Sequence, residues 1–432
     1  MINEKISIPT RYLRYWVNGL VLLTPIIATI QMKAMVIVLS LWGLVALGLM
    51  IRYKSVRHSL DWPLAGLLAA TALYGGMTAL WSLDPALSGQ MSLRLALLFL
   101  AIIAAASLLR HMPDATLQKV PFYFTVGMGI ALGFLSFEFL SNQWLYDGLD
   151  RLNADLLGQK YTGDALHLSR LNRSIDVFAL LLWPLMILLW QKLRYFTVLI
   201  PIFFCLYFNY LGNQNETLNI VAACSVFMLC LSFFIWKLTK KILLLFSALL
   251  VLGFPTFLDV ALPLIPERSE LSEDVIGHIG HSTFAAKHRL FIWDFVNDRI
   301  DDKPLLGWGL QSSRRIGNFG VTPFNIESYE NPEKVTVIPL HPHNAVLQLR
   351  LELGLPGVLL GAALMVMLIA RFTRESPGLW AITSAFITAL SVMLFVRYGL
   401  WQFQWLASLA CIIFCHGLMI RCYKTDREPC TS

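Results

Sequence analysis

Twelve stretches of mostly apolar residues follow one another along this chain and constrain it more than any other feature. They fall at 15–32, 34–51, 62–82, 93–109, 120–141, 174–190, 196–211, 218–236, 242–265, 344–370, 379–396 and 403–421. A helix needs about 20 apolar residues to cross the hydrocarbon core of a bilayer. In that core a helix satisfies its backbone polar groups internally. The chain therefore reads as an all-α polytopic membrane protein with about twelve transmembrane helices. Composition agrees, with 57% hydrophobic and 14% charged residues among 432, where a soluble domain is roughly a quarter charged. The same balance excludes a disordered chain, a fibre and a disulfide-rich secreted domain. The seven cysteines have no metal-knuckle spacing. No small-residue cleavage site follows the first apolar run, so a retained span is expected there rather than a signal peptide.

The net charge of +7 is divided into short clusters between the runs, which suits orientation of spans better than binding of nucleic acid. With the N-terminal side taken as inside, the inside segments hold eighteen Lys and Arg residues. The short outside turns offer Lys33, Arg94, Arg350 and Arg397. Both termini are accordingly expected in the cytoplasm. Two outside segments, 142–173 and 266–343, are too long to be turns. The chain thus divides into 1–265, with nine helices and the smaller outside segment; 266–343, the large outside loop; and 344–432, with three helices and a tail. Within the large loop, 283–300 reads as an amphipathic helix with Phe284, Phe291 and Phe295 on one side and Arg289 and Trp293 paired at i,i+4. It is expected to lie along the membrane surface, closed by Pro304 and the turn Gly307-Trp308-Gly309.

Chemistry concentrates at His341-Pro342-His343-Asn344, where the tenth span begins. Pro342 disfavours helix in the residue before it, so the span is expected to start near His343. A histidine at a helix N-terminus is disfavoured as imidazolium, and a neutral imidazole is what a general base requires. The plainer alternative is that both histidines only mark a wet helix start. Glu352, nine residues on, would lie roughly 13 Å deeper at 1.5 Å per residue. A carboxylate there needs a partner, and an arginine on another helix is the expected one. Glu352 reads as the one acidic residue clearly inside a span.

Arg170 and Arg173 stand at the outer mouth of the sixth span, and Arg289 stands on the loop helix, with Arg268, Arg314 and Arg315 nearby in sequence. Guanidinium forks suit phosphate oxygens, although a single boundary arginine equally suits lipid headgroups. No Gly-rich phosphate loop ending in Lys-Ser/Thr is present, which argues against an ATP motor. No Asp-x-Asp pair occurs on an outside segment, and His278, His281 and His288 lack a known zinc spacing, so neither metal nor cofactor is expected.

Taken together, His343-Asn344-x-x-Leu347 and Glu352-x-Gly354-x-x-Gly357, directly after one long outside loop, resemble the O-antigen ligase superfamily. That group includes O-antigen ligases, O-antigen polymerases and protein O-oligosaccharyltransferases. Further matches are Arg289 to Trp293, Pro304-Leu305-Leu306-Gly307-Trp308-Gly309, Asn172-Arg173 and Trp401-Gln402. The chain departs from many relatives after the seventh span, where Asn213-Gln214-Asn215-Glu216-Thr217 replaces a Ser-rich stretch with Arg or Gln.

The resemblance implies a fold like that of the C-type glycosyltransferases and transfer of a polysaccharide from undecaprenyl diphosphate to the outer core of lipid A-core. The site would face the periplasm from the inner membrane, work without metal or ATP, and invert the anomeric centre. By the same resemblance His343 would take or orient the proton of the acceptor hydroxyl. Arg173, Arg289 and Arg170 would hold the departing undecaprenyl diphosphate, with Asn344, Glu352 and Trp293 in support. Membrane lipids are expected partners and nucleic acid is not. The polymerase and the protein-directed transferase share the donor and stay open as alternatives, with a secondary transporter of lipid-linked glycan as a remoter one.

Overall fold

The computed structural model describes residues 10–53, 60–158, 165–211, 215–261, 264, 282–317, 338 and 340–425. Among the described residues every regular element is helical. The first half comprises α1 (Thr10–Ile30), α2 (Met35–Arg52), α3 (Trp62–Met77), α4 (Pro85–His111), α5 (Val120–Leu140), α6 (Trp144–Leu157) and α7 (Ala165–Leu193). Then come α8 (Leu199–Tyr210), α9 (Glu216–Ala261), α10 (Ser282–Asp302) and the single turn α11 (Ser313–Ile316). The last three are α12 (Ala345–Phe372), α13 (Pro377–Val396) and α14 (Phe403–Thr425). Local chemistry sets several of these starts. Asp61 and Asp84 each precede a helix with Pro in its first turn, and their carboxylates accept from Leu64 N–H at 3.4 Å and Leu87 N–H at 3.0 Å.

Where they are described, the twelve apolar runs are largely helical, but they group differently from the sequence reading. Among the described residues ten helical stretches are long and apolar enough to cross a membrane. One of these, Arg170–Tyr210, contains both the sixth and seventh runs, which join at Arg194 with φ 46°. Another, Thr217–Leu249, contains the eighth run and the start of the ninth. Here α9 breaks at Ile235 (φ −128°, ψ 44°), and Ser232 Oγ donates to Thr239 Oγ1 across the break. Lys240 then reaches the Glu375 carbonyl, while Asn215 at the start of α9 and Asp259 near its finish both meet groups at the opposite end of the bundle.

That opposition runs through the whole molecule. At the end carrying residues 10 and 425, Arg371 pairs with Asp61 at 2.6 Å, Arg421 with Asp114 at 2.5 Å and Lys424 with Glu375 at 2.9 Å. At the far end, Arg315 pairs with Asp84 at 2.9 Å and Arg397 with Asp176 at 2.8 Å. Between them α7, α13 and α14 form the middle of the bundle, with Trp183, Trp380 and Trp405 fully buried. Large apolar side chains such as Leu44, Leu73, Leu97 and Phe234 face outward instead, the inverse of a water-soluble surface.

The loop helix α10 packs along the beginning of α12. Its buried stripe is Ile292, Val296 and Ile300, set against Leu347 and Leu351. Of the expected phenylalanine face, Phe295 is half-buried, and the side chains of Phe284 and Phe291 lie outside the described residues. The β-branched i,i+4 stripe of Ile292, Val296 and Ile300 fits closely against α12.

Candidate functional site

The tenth run begins with a sharp cap. Asn344 has an extended backbone, and its Oδ1 accepts from Val346 N–H at 3.0 Å and Leu347 N–H at 3.1 Å. The helix therefore starts at Ala345, two residues after the expected His343. Lower down, α12 is broken at Gly354 (φ 61°, ψ −152°), because Pro356 has no N–H to return to the Glu352 carbonyl. The segment after α10 repairs the break. Gly309 N–H donates to that Glu352 carbonyl and Trp308 N–H to Leu351 O, both at 2.8 Å; Leu355 N–H donates to Leu305 O at 2.9 Å. Backbones approach so closely that a Cβ on Gly354 would sit 2.2 Å from Leu305 O, and one on Gly307 2.6 Å from Gly354 N. Non-helical backbone within a membrane span persists only when protein covers it, and residues 305–309 supply that cover.

Beside the break, Glu352 is fully buried. The arginine expected as its partner is not there. Its carboxylate accepts from Gln311 N–H at 2.6 Å, Ser313 Oγ at 2.5 Å, Gln348 Nε2 at 3.1 Å and Trp401 Nε1 at 2.7 Å. Neutral donors from three separate segments replace the cation, each strengthened by the charge it serves. Sequence could not show this, since two of the four come from the short turn around Ser312, one of them a backbone N–H.

His343 stands above this node in the left-handed region, φ 55°, a conformation that a side-chain-bearing residue adopts at a cost. Its backbone N–H donates to His341 Nδ1 at 3.1 Å. Its own Nδ1 lies 3.0 Å from the Arg397 carbonyl. A carbonyl only accepts, so Nδ1 carries the proton and the basic lone pair is on Nε2. His341 is buried, with Nε2 3.0 Å from the Gln402 side-chain amide. Burial, with His343 and Arg314 nearby, pushes its pKa down to about 3, so it is neutral at physiological pH. Trp293 on α10 donates its indole N–H to the Pro342 carbonyl at 3.0 Å. Arg289 is one helical turn earlier on that side of α10.

The carbonyl that holds His343 belongs to a residue the sequence reading treated as an ordinary outside charge. Arg397 Nε donates to Asp176 Oδ2 at 2.8 Å, Tyr398 OH to the same oxygen at 3.1 Å, and Asn215 Nδ2 to Asp176 Oδ1 at 2.8 Å. Asp176 is fully buried on α7, inside the expected sixth span, so Glu352 is not the one acidic residue within a span. Glu138 on α5 is another, its carboxylate accepting from Leu145 and Tyr146 N–H at the start of α6. The signal was present in the sequence: an ionisable residue inside an apolar run marks function or a partner.

The arginines take distinct positions. Arg173 lies close enough to Tyr146 and Tyr398 for its charge to act on both. Arg170 pairs with Asp150 and stacks 5.2 Å over the Tyr146 ring. Arg314 faces His341, and Arg315 is engaged by Asp84. Arg268, His278 and His281 lie outside the described residues, as does the side chain of His288.

Residues 215–362 match the family model described as O-antigen ligase. Over this region the chain is similar to the O-antigen ligase family. The matched region takes in Arg289, Trp293, His343, Asn344 and Glu352, and leaves Arg170, Arg173, Asp176 and Arg397 outside it. A Rickettsia conorii protein provisionally named a polysaccharide ligase is 34% identical over 140 residues, 32% of this chain and 33% of that protein. One from Rickettsia typhi, named likewise, is 33% identical over 196 residues, 44% of this chain and 45% of its own. A third, from Rickettsia prowazekii, is 35% identical over 143 residues, 32% of this chain and 33% of that protein. The chain thus spans about a third to under half of the length of these relatives.

Proposed function

We propose that this protein is a glycosyltransferase of the inner membrane that moves O-antigen polysaccharide from undecaprenyl diphosphate to the outer core of lipid A-core. Twelve crossings with both termini in the cytoplasm put His343 and its neighbours on the periplasmic side. The observation that carries the reading is the fixed tautomer of His343 at the mouth of the bundle, within the family region. An imidazole with its Nδ1 proton engaged presents Nε2 as a base. An acceptor hydroxyl oxygen attacks the anomeric carbon while its proton passes to Nε2. The bond from that carbon to the diphosphate oxygen breaks, and undecaprenyl diphosphate leaves with the electron pair. The donor is already activated, so positioning, a base and cationic stabilisation of the leaving group suffice. Arg173, Arg289 and Arg170 supply the cations; Asn344, Glu352 and Trp293 hold the frame.

Deleting the gene in its host and restoring it as wild type or as His343→Ala tests this directly. Core-only lipopolysaccharide, with long polymer accumulating on the carrier, is expected in the deletion and in His343→Ala. Purified His343→Ala should transfer at least about 100-fold more slowly. Core carrying a single repeat, with no long polymer, would make the enzyme a polymerase. An unchanged ladder in both strains would overturn the lipopolysaccharide assignment and direct attention to a protein acceptor.

A further inference from the structure

Behind His343 lies an ion pair between Arg397 and Asp176. Arg397 follows α13, and its N–H donates to Met393 O at 3.0 Å. Its side chain reaches back to Asp176 on α7, a helix more than 200 residues earlier in the chain. Three further contacts hold the segment that follows. Tyr398 OH shares Asp176 Oδ2, Leu400 N–H donates to Gln348 Oε1 at 2.8 Å, and a Cβ on Gly399 would meet the His341 ring at 2.6 Å. The segment is therefore fixed from both sides, and the Arg397 carbonyl projects from it to His343 Nδ1 at 3.0 Å.

A carbonyl is a weak director of a histidine, because the ring can flip or exchange tautomers unless the acceptor itself is rigid. Asp176 provides that rigidity. It is fully buried and accepts three hydrogen bonds, one of them from a guanidinium, the strongest kind available to it. A buried charge pair of this type adds little net stability compared with apolar packing, yet losing one partner is costly.

We infer that Asp176 is a positioning residue for His343, acting through Arg397: the buried carboxylate fixes the backbone carbonyl that keeps the proton on Nδ1 and the lone pair on Nε2. The inference rests on the reading of His343 as the proton acceptor, but its structural half can be measured separately. In serine hydrolases a carboxylate orients the histidine directly; here a carboxylate does so one residue removed, through main chain.

The test uses full-length protein in nanodiscs, labelled with 15N-histidine, with the His343 resonances identified by their loss in His343→Gln. Wild type is expected to show a protonated Nδ1 and an unprotonated Nε2 at pH 8. Asp176→Asn is expected to mix the two tautomers and to lower kcat for polysaccharide transfer by about 10–100-fold, with KM unchanged. Should that variant fail to accumulate, Asp176→Asn combined with Arg397→Gln removes both charges together and is read in the same way. Tyr398→Phe, which leaves the carboxylate and guanidinium paired, should retain the wild-type tautomer. A folded Asp176→Asn protein that keeps the wild-type His343 signature, whatever its activity, overturns the inference and makes the pair a simple clamp between helices. A tautomer that shifts in a protein whose wild type transfers no glycan supports the positioning role and overturns the proposed function instead.

Discussion

Two fully buried carboxylates flank the histidine and are stabilised in opposite ways. Asp176 faces a guanidinium, a phenol and an amide. Glu352 faces four neutral donors drawn from the 305–316 segment, α12 and the turn before α14. Burying an anion is expensive in either case. A paired cation answers the charge, whereas a ring of dipoles answers the individual oxygens. The first arrangement fixes one side chain and the carbonyl next to it. The second ties three pieces of chain to one point, which suits a residue beside a broken helix. Buried charge in a membrane protein can thus serve as a hinge pin or as a mooring, and the partners tell which.

The comparison is broken most directly at the ion pair. Asp176→Ala leaves the Arg397 guanidinium with no counter-charge, and a loss of about 3–5 kcal/mol is expected, read as a fall in the thermal midpoint of the purified protein. Gly354→Ala comes next: the side chain is forced into a backbone region suited to glycine, at about 1–3 kcal/mol, and collides with Leu305 O. Protease cutting within 303–316 should then accelerate. Glu352→Gln should cost about 1–3 kcal/mol, since an amide nitrogen would confront one of the donors that the carboxylate accepts from. If the neutral Gln proves as harmful as Asp176→Ala, the distinction between charge pair and dipole ring is wrong.

A smaller effect follows from pH. His341 has a pKa of about 3 in the fold, below the ordinary 6.5. The unfolded chain therefore takes up its proton first as pH falls, and the stability that the neutral ring contributes is lost progressively from about 6.5 toward 3. Amide hydrogen exchange around residues 341–344, compared at pH 7.5 and 5.5, should show faster opening at the lower pH. His341→Gln should flatten that difference.

Much of the bundle was legible in the apolar runs, because length and hydropathy alone decide which segments can span a bilayer. Where runs join was not: Arg194 and Ile235 break the helix without Gly or Pro, at places decided by packing against other helices. At the site, His343 and Asn344 were readable from Pro342 and the cap chemistry around it. Arg397 was not, since its contribution is a backbone carbonyl and every residue has one. Asp176 was missed for a different reason: Arg173, three residues earlier, made the stretch look like a boundary when the carboxylate already lay inside. The partners of Glu352 escaped because a main-chain N–H from Gln311 carries no sequence signature.

The repair of α12 by residues 305–309 has a practical consequence for exchanging parts between relatives. Residues 305–309 and α12 share three main-chain hydrogen bonds at Leu351, Glu352 and Leu355, so they behave as one structural component. A chimera that takes the loop from another protein but keeps its own span would pair mismatched backbones at that depth. Grafts that exchange this segment should therefore place their junctions before α10 and after Pro356, never between.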